Sequence, residues 1–307
     1  MLHILQTALE LGFLYALVPM ALFLSFRVLD IADMTTDGCF VLGTAVSVTM
    51  AAAGHPFLAI PTAMAAGVCA GFVTAFLQTR LGVPSILAGI VTNMGLYTIN
   101  LMVMKWSANV SLLKTATIFT LFQQTGIGGQ WYEALLAGAV VILAGVLLVL
   151  FLGTRLGLSI RATGDNIDMV RASSVNPTFT ITVGLCVANA LTALSGAMVG
   201  QYQNTADING GTGIVVIGLA CLIIGETILG RKSVVKGALA AVIGSIIYRF
   251  IYAIVLYTKI MPVQGLKLVT AVIVALAIAF PTIKNWVVFQ QKKSARKKTY
   301  VAKGGRS

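Results

Sequence analysis

Charge is what this sequence has least of. Only 10% of its 307 residues are charged, nine of them acidic, where soluble domains carry about 25%. A chain that is 58% hydrophobic with a mean hydropathy of +0.95 cannot keep a solvated surface, so it is a membrane protein. Histidine is nearly missing as well: His3 and His55 stand far from any carboxylate or cysteine, which excludes a metal-ligand set. The four cysteines, Cys39, Cys69, Cys186 and Cys221, lie in apolar stretches without C-x-x-C spacing and are expected as small core residues. No convergent Ser/His/Asp group is present, so no membrane enzyme is expected and no catalytic residue is assigned. A phosphate-binding loop is missing too. "GETILGRKS" at 225–233 comes close, but Arg231 stands where a lysine must follow the second glycine, and an apolar run precedes it rather than a strand.

What the chain has is apolar length. A helix needs about 20 mostly apolar residues to cross the hydrocarbon core, because no water there can satisfy free backbone groups. Nine stretches qualify: 9–26, 38–53, 57–77, 86–104, 134–152, 179–200, 213–229, 235–257 and 264–281. The second and seventh are short and glycine-rich. The expected fold is therefore an all-α polytopic membrane protein of about nine transmembrane helices. It divides into a transmembrane domain, 1–283, and a basic tail, 284–307. With the C-terminus inside, inner segments hold 16 of the 21 basic residues, among them Arg27, Arg80, Arg155, Arg161, Arg171 and eight in the tail. Outer loops keep Lys105, Lys114 and Lys259. The positive-inside rule then gives an N-out/C-in topology. The net charge of +12 belongs to these inner loops and to a tail that anchors on anionic lipid, not to a nucleic-acid site.

The longest inner loop reads "TRLGLSIRATGDNIDMVRASSVNP", 154–177. Gly164, Asp165 and Asn166 predict a turn, and Asp165 or Asn166 can cap a helix starting at Ile167. Pro177 stops that helix within about two turns. Asp168 and Arg171 pair on its surface, while Ile167, Val170 and Ser174 fall on one face. Such a rod either rests on lipid headgroups or docks a soluble partner.

Two segments resemble each other: "ADMTTDGCFVLG" at 32–43 and "ADINGGTGIVVIG" at 206–218. The topology places Asp33 inside and Asp207 outside, as an inverted internal repeat would, and substrate sites lie where such repeats meet. Asp37, Gly38, Gly43, Gly213 and Gly218 are therefore candidates to flank a pathway. Asn93 and Asn100, seven apart on one helical face, and Asn189 are either helix-to-helix glue or pathway contacts. Arg249 either snorkels outward or meets a substrate carboxylate. The outer segment 105–133 carries Trp106, Trp131 and Tyr132 as interfacial anchors and room for a short re-entrant helix at "IFTLFQQ".

The 154–177 loop resembles that of permease subunits in ABC importers of the branched-chain amino acid and ribose type. Thr154, Arg155, Gly157, Arg161, Ala162, Gly164, Asn166, Val175 and Asn176 match; Val170 replaces the usual alanine and Ser174 the usual glycine. "GTGIVVIGLACLIIGETILGRKSVVKGALAAVIGSII" is similar to a later family segment, with Glu226 where relatives often have glycine. "FRVLDIADMTTDGCFVLGTAVS" is similar to a subgroup linked to aromatic amino acid (tryptophan/tyrosine) uptake, with Ala32 in place of proline. The resemblance implies a coupling helix over 165–174 that sits in a groove of a separate ABC ATPase, through Arg161, Gly164, Asp165, Asn166, Asp168, Val170, Arg171 and Ser174. It further implies two ATPase copies that carry the ATP and Mg, and no cofactor in this chain. An extracytoplasmic substrate-binding protein or lipoprotein, a second permease copy as a homodimer, and a bacterial inner-membrane location complete the expectation. The alternative is a secondary transporter or channel for a small polar solute. Such a protein would not need a 24-residue inner loop with a capped helix.

Overall fold

The computed structural model describes residues 2–258, except 113–114, 125, 127–128 and 231–232, and beyond that only 268, 270–275 and 279. The ninth apolar stretch, 264–281, lies mostly outside these residues, as do Lys114, Arg231, Lys232, Lys259 and the tail.

Helices follow the apolar stretches. Helix α1 (Leu2–Leu22) runs on into a π-helical turn, Phe23–Val28. Then come α2 (Thr36–Ala52), α3 (Pro56–Thr79) and α4 (Ser85–Val103). A strand β1 (Asn109–Ser111) and a short helix α5 (Ile118–Gln124) lead to α6 (Tyr132–Gly153). Beyond it lie α7 (Arg155–Asp165), α8 (Ile167–Ala172), α9 (Pro177–Gln203), strand β2 (Thr205–Asp207), α10 (Ile214–Leu229) and α11 (Val234–Tyr257). The first eight apolar stretches are thus helical, and α5 coincides with "IFTLFQQ". Among the described residues six helices are long and apolar enough to cross a bilayer; α2 and α10 are shorter. At 17 and 16 residues they span about 25 Å, less than the roughly 30 Å hydrocarbon core.

Local chemistry sets the long helix ends. Pro56 and Pro177 sit at first-turn positions, where a missing N–H costs nothing. Asn176 caps α9 by accepting from the Thr178 N–H at 3.0 Å, and Asn204 closes it in the left-handed region. Helices α1 and α9 form the centre, buried over 72% and 78% of their most apolar windows against 28–33% for α3, α4, α6 and α11. Helix α2 lies on α9 with Gly43 against the Ala193 backbone, the close small-residue approach by which membrane helices pack without a hydrophobic drive.

Three expectations change. Residues 155–165 are helical, so Gly164 and Asp165 end α7 instead of making a turn. Thr154 starts that helix by accepting from the Gly157 N–H at 3.2 Å. The outer segment carries an unforeseen antiparallel ladder, Asn109–Ser111 on Thr205–Asp207. Among the cysteines, Cys39 and Cys221 are buried, Cys186 is half-buried and Cys69 is exposed on α3.

Candidate functional site

Because α2 and α10 are short, each must begin within the bundle, and the contacts show where. Past the π-helical turn the chain runs along α9 without regular structure: Leu29 lies against Gly184 and Asp33 against Asn189, near the middle of that helix. Asn189 Nδ2 donates to Asp33 Oδ2 at 2.7 Å, and the Thr35 N–H to Asp33 Oδ1 at 2.9 Å. Asp33 is therefore not in an inner surface loop, as the charge rule placed it; it sits at mid-depth. From the opposite end, Ala206 packs with Ala45, Val48 and Ala51, while Gly211 reaches Asp37 and Val41. The 206–211 segment has thus descended along α2 by about 10 Å at 1.5 Å per residue.

The two segments meet at one side chain. Asp37, in the first turn of α2, accepts from the Gly213 N–H at 2.9 Å and from the Val215 N–H at 2.8 Å. The carboxylate of one short helix thereby caps the other. This removes free N–H groups that nothing in a hydrocarbon interior would satisfy and complements the positive end of the α10 dipole. Gly213 itself has φ +84, a region glycine enters without a steric penalty.

Beside this junction is an open cavity of about 300 Å³. Its lining includes Asp37, Gly38, Asn93, Tyr97, Asn100, Asn209 and Thr212. Asn100 Nδ2 donates to the Gly38 carbonyl at 3.1 Å, and its buried Oδ1 has no partner among the described residues. The structure so brings together Asp37, Gly38, Asn93 and Asn100, with Gly213 at the edge. Tyr97, Asn209 and Thr212 were not singled out from sequence. Tyr97 completes the face of Asn93 and Asn100 at i, i+4, i+7 spacing, and Asn209 and Thr212 lie inside the repeated segment, so the signal was present.

Four candidates go elsewhere. Gly43 packs α2 on α9, Gly218 packs α10 against Val18 and Leu22 of α1, and Asn189 holds Asp33. Arg249 neither snorkels nor opens on the cavity. Its guanidinium lies 3.7 Å from the Tyr15 ring centroid, beside a void of about 10 Å³, room for one water and too small for an amino acid.

At the end of the bundle opposite the ladder, α7 and α8 form a bent pair. Asn166, not Asp165, caps α8, accepting from the N–H groups of Asp168 (3.1 Å) and Met169 (3.0 Å). Gly164 presses on the backbone of Val28 and Leu29, where a Cβ would not fit. Val170 is buried and Met169 is 66% exposed, so α8 stands on the bundle and presents its other face outward. Asp168 and Arg171 make an exposed pair at 3.6 Å; Arg161 and Asp165 are exposed. Ser174 does not share the face of Ile167 and Val170. It lies beyond the helix end at φ +61, the conformation that explains why glycine is usual there. Sequence reasoning also missed a partner of Glu226. Arg27 Nη2 donates to Glu226 Oε2 at 2.8 Å across 199 positions.

The family profile described as branched-chain amino acid transport system, permease component, matches residues 4–281. A tyrosine transport system permease protein of Clostridioides difficile is 30% identical over 282 residues, covering 92% of this chain and 91% of that one. An uncharacterized protein of Rickettsia prowazekii is 30% identical over 282 residues, with 91% and 98% covered. No solved structure matches the chain significantly.

Two outcomes follow from the geometry. Asp37→Ala removes two hydrogen bonds to a charged acceptor, each worth about 1.5–3 kcal/mol. Amide exchange at Val215 should accelerate strongly, and less in Asp37→Asn, which keeps one acceptor oxygen; unchanged protection would show that the cap carries nothing. Ser174→Gly relieves a left-handed non-glycine residue, a cost of about 1 kcal/mol or more, and should raise the thermal midpoint of the purified protein.

Proposed function

Since the chain belongs to the branched-chain amino acid transport system permease family, we propose that it builds one half of a solute pathway and is driven by a separate ABC ATPase. It is a multi-pass inner-membrane permease component of an amino acid transport system. In the proposed arrangement the α7–α8 end is cytoplasmic and the ladder end extracytoplasmic. An external binding protein or lipoprotein delivers solute to that outer end. Two ATPases supply ATP and Mg chemistry, and a second copy of this chain closes the cavity that is open here beside Asp37. The 32–43 and 206–218 segments then act as the inverted pair at mid-membrane.

The observation that carries the coupling reading is α8: a capped helix seated on Val170 and Gly164, with Met169, Asp168 and Arg171 outward. An amino acid is the proposed solute. The Asn93, Asn100, Asn209 and Asp37 groups offer polar contacts to its backbone ends, and the exposed Tyr97 and Met94 offer surface for an aromatic side chain.

Exposed ion pairs contribute little, so the informative substitution is apolar. Met169→Glu should abolish co-purification of the ATPase while the permease remains folded and monodisperse. Undiminished co-purification would place the ATPase contact elsewhere.

A further inference from the structure

We propose that Arg27 and Glu226 are positioning residues that make α10 move with the α7–α8 pair, so that motion at α8 reaches the polar cavity. The proposal rests on the reading of α8 as the docking element.

The argument starts from a residue in an unfavourable place. Glu226 lies in the last turn of α10, where the helix dipole disfavours an anion, and its side chain is 3% exposed. Its guanidinium partner comes from the π-helical turn ending α1, which widens the helix just before the chain turns inward. An ion pair in such surroundings adds little stability over apolar packing of the same volume. Its use is a short, directional link between the π-helical turn and the end of α10.

That link completes a grip. Arg27 holds one end of α10 and Asp37 holds the other through the Gly213 and Val215 N–H groups. Eleven residues of one segment, 27–37, thus clasp the whole of α10. Next to Arg27, Val28 and Leu29 bear directly on Gly164 at the end of α7, and Asn166 joins α7 to α8. A displacement of α8 therefore pushes the base of the clasp, and α10 follows at both ends. Gly211 and Thr212, which immediately precede α10, line the cavity, so its shape changes with α10.

The test uses the complex of the permease with its co-purifying ATPase in nanodiscs. Spin labels at Tyr97→Cys and Thr212→Cys report the cavity width before and after ATP with vanadate. The parent complex should show a distance shift. Glu226→Gln should lose that shift while ATPase binding and hydrolysis persist, and Arg27→Glu with Glu226→Arg should restore it. Arg27→Lys, which keeps the charge, should retain it should the swapped pair not fold. A shift in Glu226→Gln equal to the parent's, with the ATPase bound, overturns this inference alone. Failure of Met169→Glu to release the ATPase overturns the docking reading beneath it.

Discussion

Two helices among the described residues, α2 and α10, are shorter than the hydrocarbon core is thick, and they begin inside the bundle, where water reaches their first N–H groups at most from the cavity beside Asp37. In a soluble protein a frayed start costs little; in hydrocarbon each unsatisfied group costs several kcal/mol. Asp37 resolves this for α10 by placing a carboxylate across the bundle on the Gly213 and Val215 N–H groups. Much of the interior follows from that contact. The 206–213 segment must descend along α2 to reach it, the 29–35 segment must climb along α9, and Asp33 is then carried to Asn189. The polar cavity of Asn93, Asn100 and Asn209 lies between α4, the start of α2 and the irregular 208–212 segment.

The same constraint separates rigid parts from movable ones. Helices α1 and α9 are buried along most of their length, and α9 packs on α2 and α3 through backbone-to-backbone approaches that leave no slack. Helix α10 packs just as closely on α11, Gly225 against the Ala240 backbone and Gly244 against that of Cys221, and this pair is tied to the 27–37 segment by charged groups at the two ends of α10. Such contacts are specific in direction but can be exchanged as a unit, which suits an element that has to change position. The α7–α8 pair meets the π-helical segment where Gly164 lies on Val28 and Leu29, and it meets α9 through the buried Thr163–Thr180 hydroxyl pair at 2.8 Å.

Much of this was legible in the residues. Hydrophobic length gave seven helices nearly to their ends and α1 all but its first turns, local chemistry narrowed the α8 cap to Asp165 or Asn166, and the seven-residue spacing of Asn93 and Asn100 put them on one helical face. Depth was not legible. The positive-inside rule assigns a side to a loop and says nothing about how far a loop re-enters, so Asp33 was placed at a surface. Gly164 read as a turn residue because its role, letting two backbones touch, depends on Val28 and Leu29 more than a hundred positions away. The contacts of Glu226 and Arg249 were not legible for the same reason: an unexpected charge in an apolar run gives no sign of what it meets, and here Glu226 meets Arg27 while Arg249 meets the Tyr15 ring. Ser174 shows the reverse. Its departure from the family glycine was visible, and only φ +61 explains why glycine is preferred there.

The central claim is that the segments before α2 and α10 meet at mid-membrane. Spin labels at Met34→Cys and Thr212→Cys in bilayer-reconstituted protein measure it directly, through relative accessibility to oxygen and to a water-soluble nickel chelate. The account gives both sites a depth near the bilayer centre, with at most a narrow aqueous exposure at Thr212 from the cavity. Labels at headgroup depth on opposite faces of the membrane would contradict it.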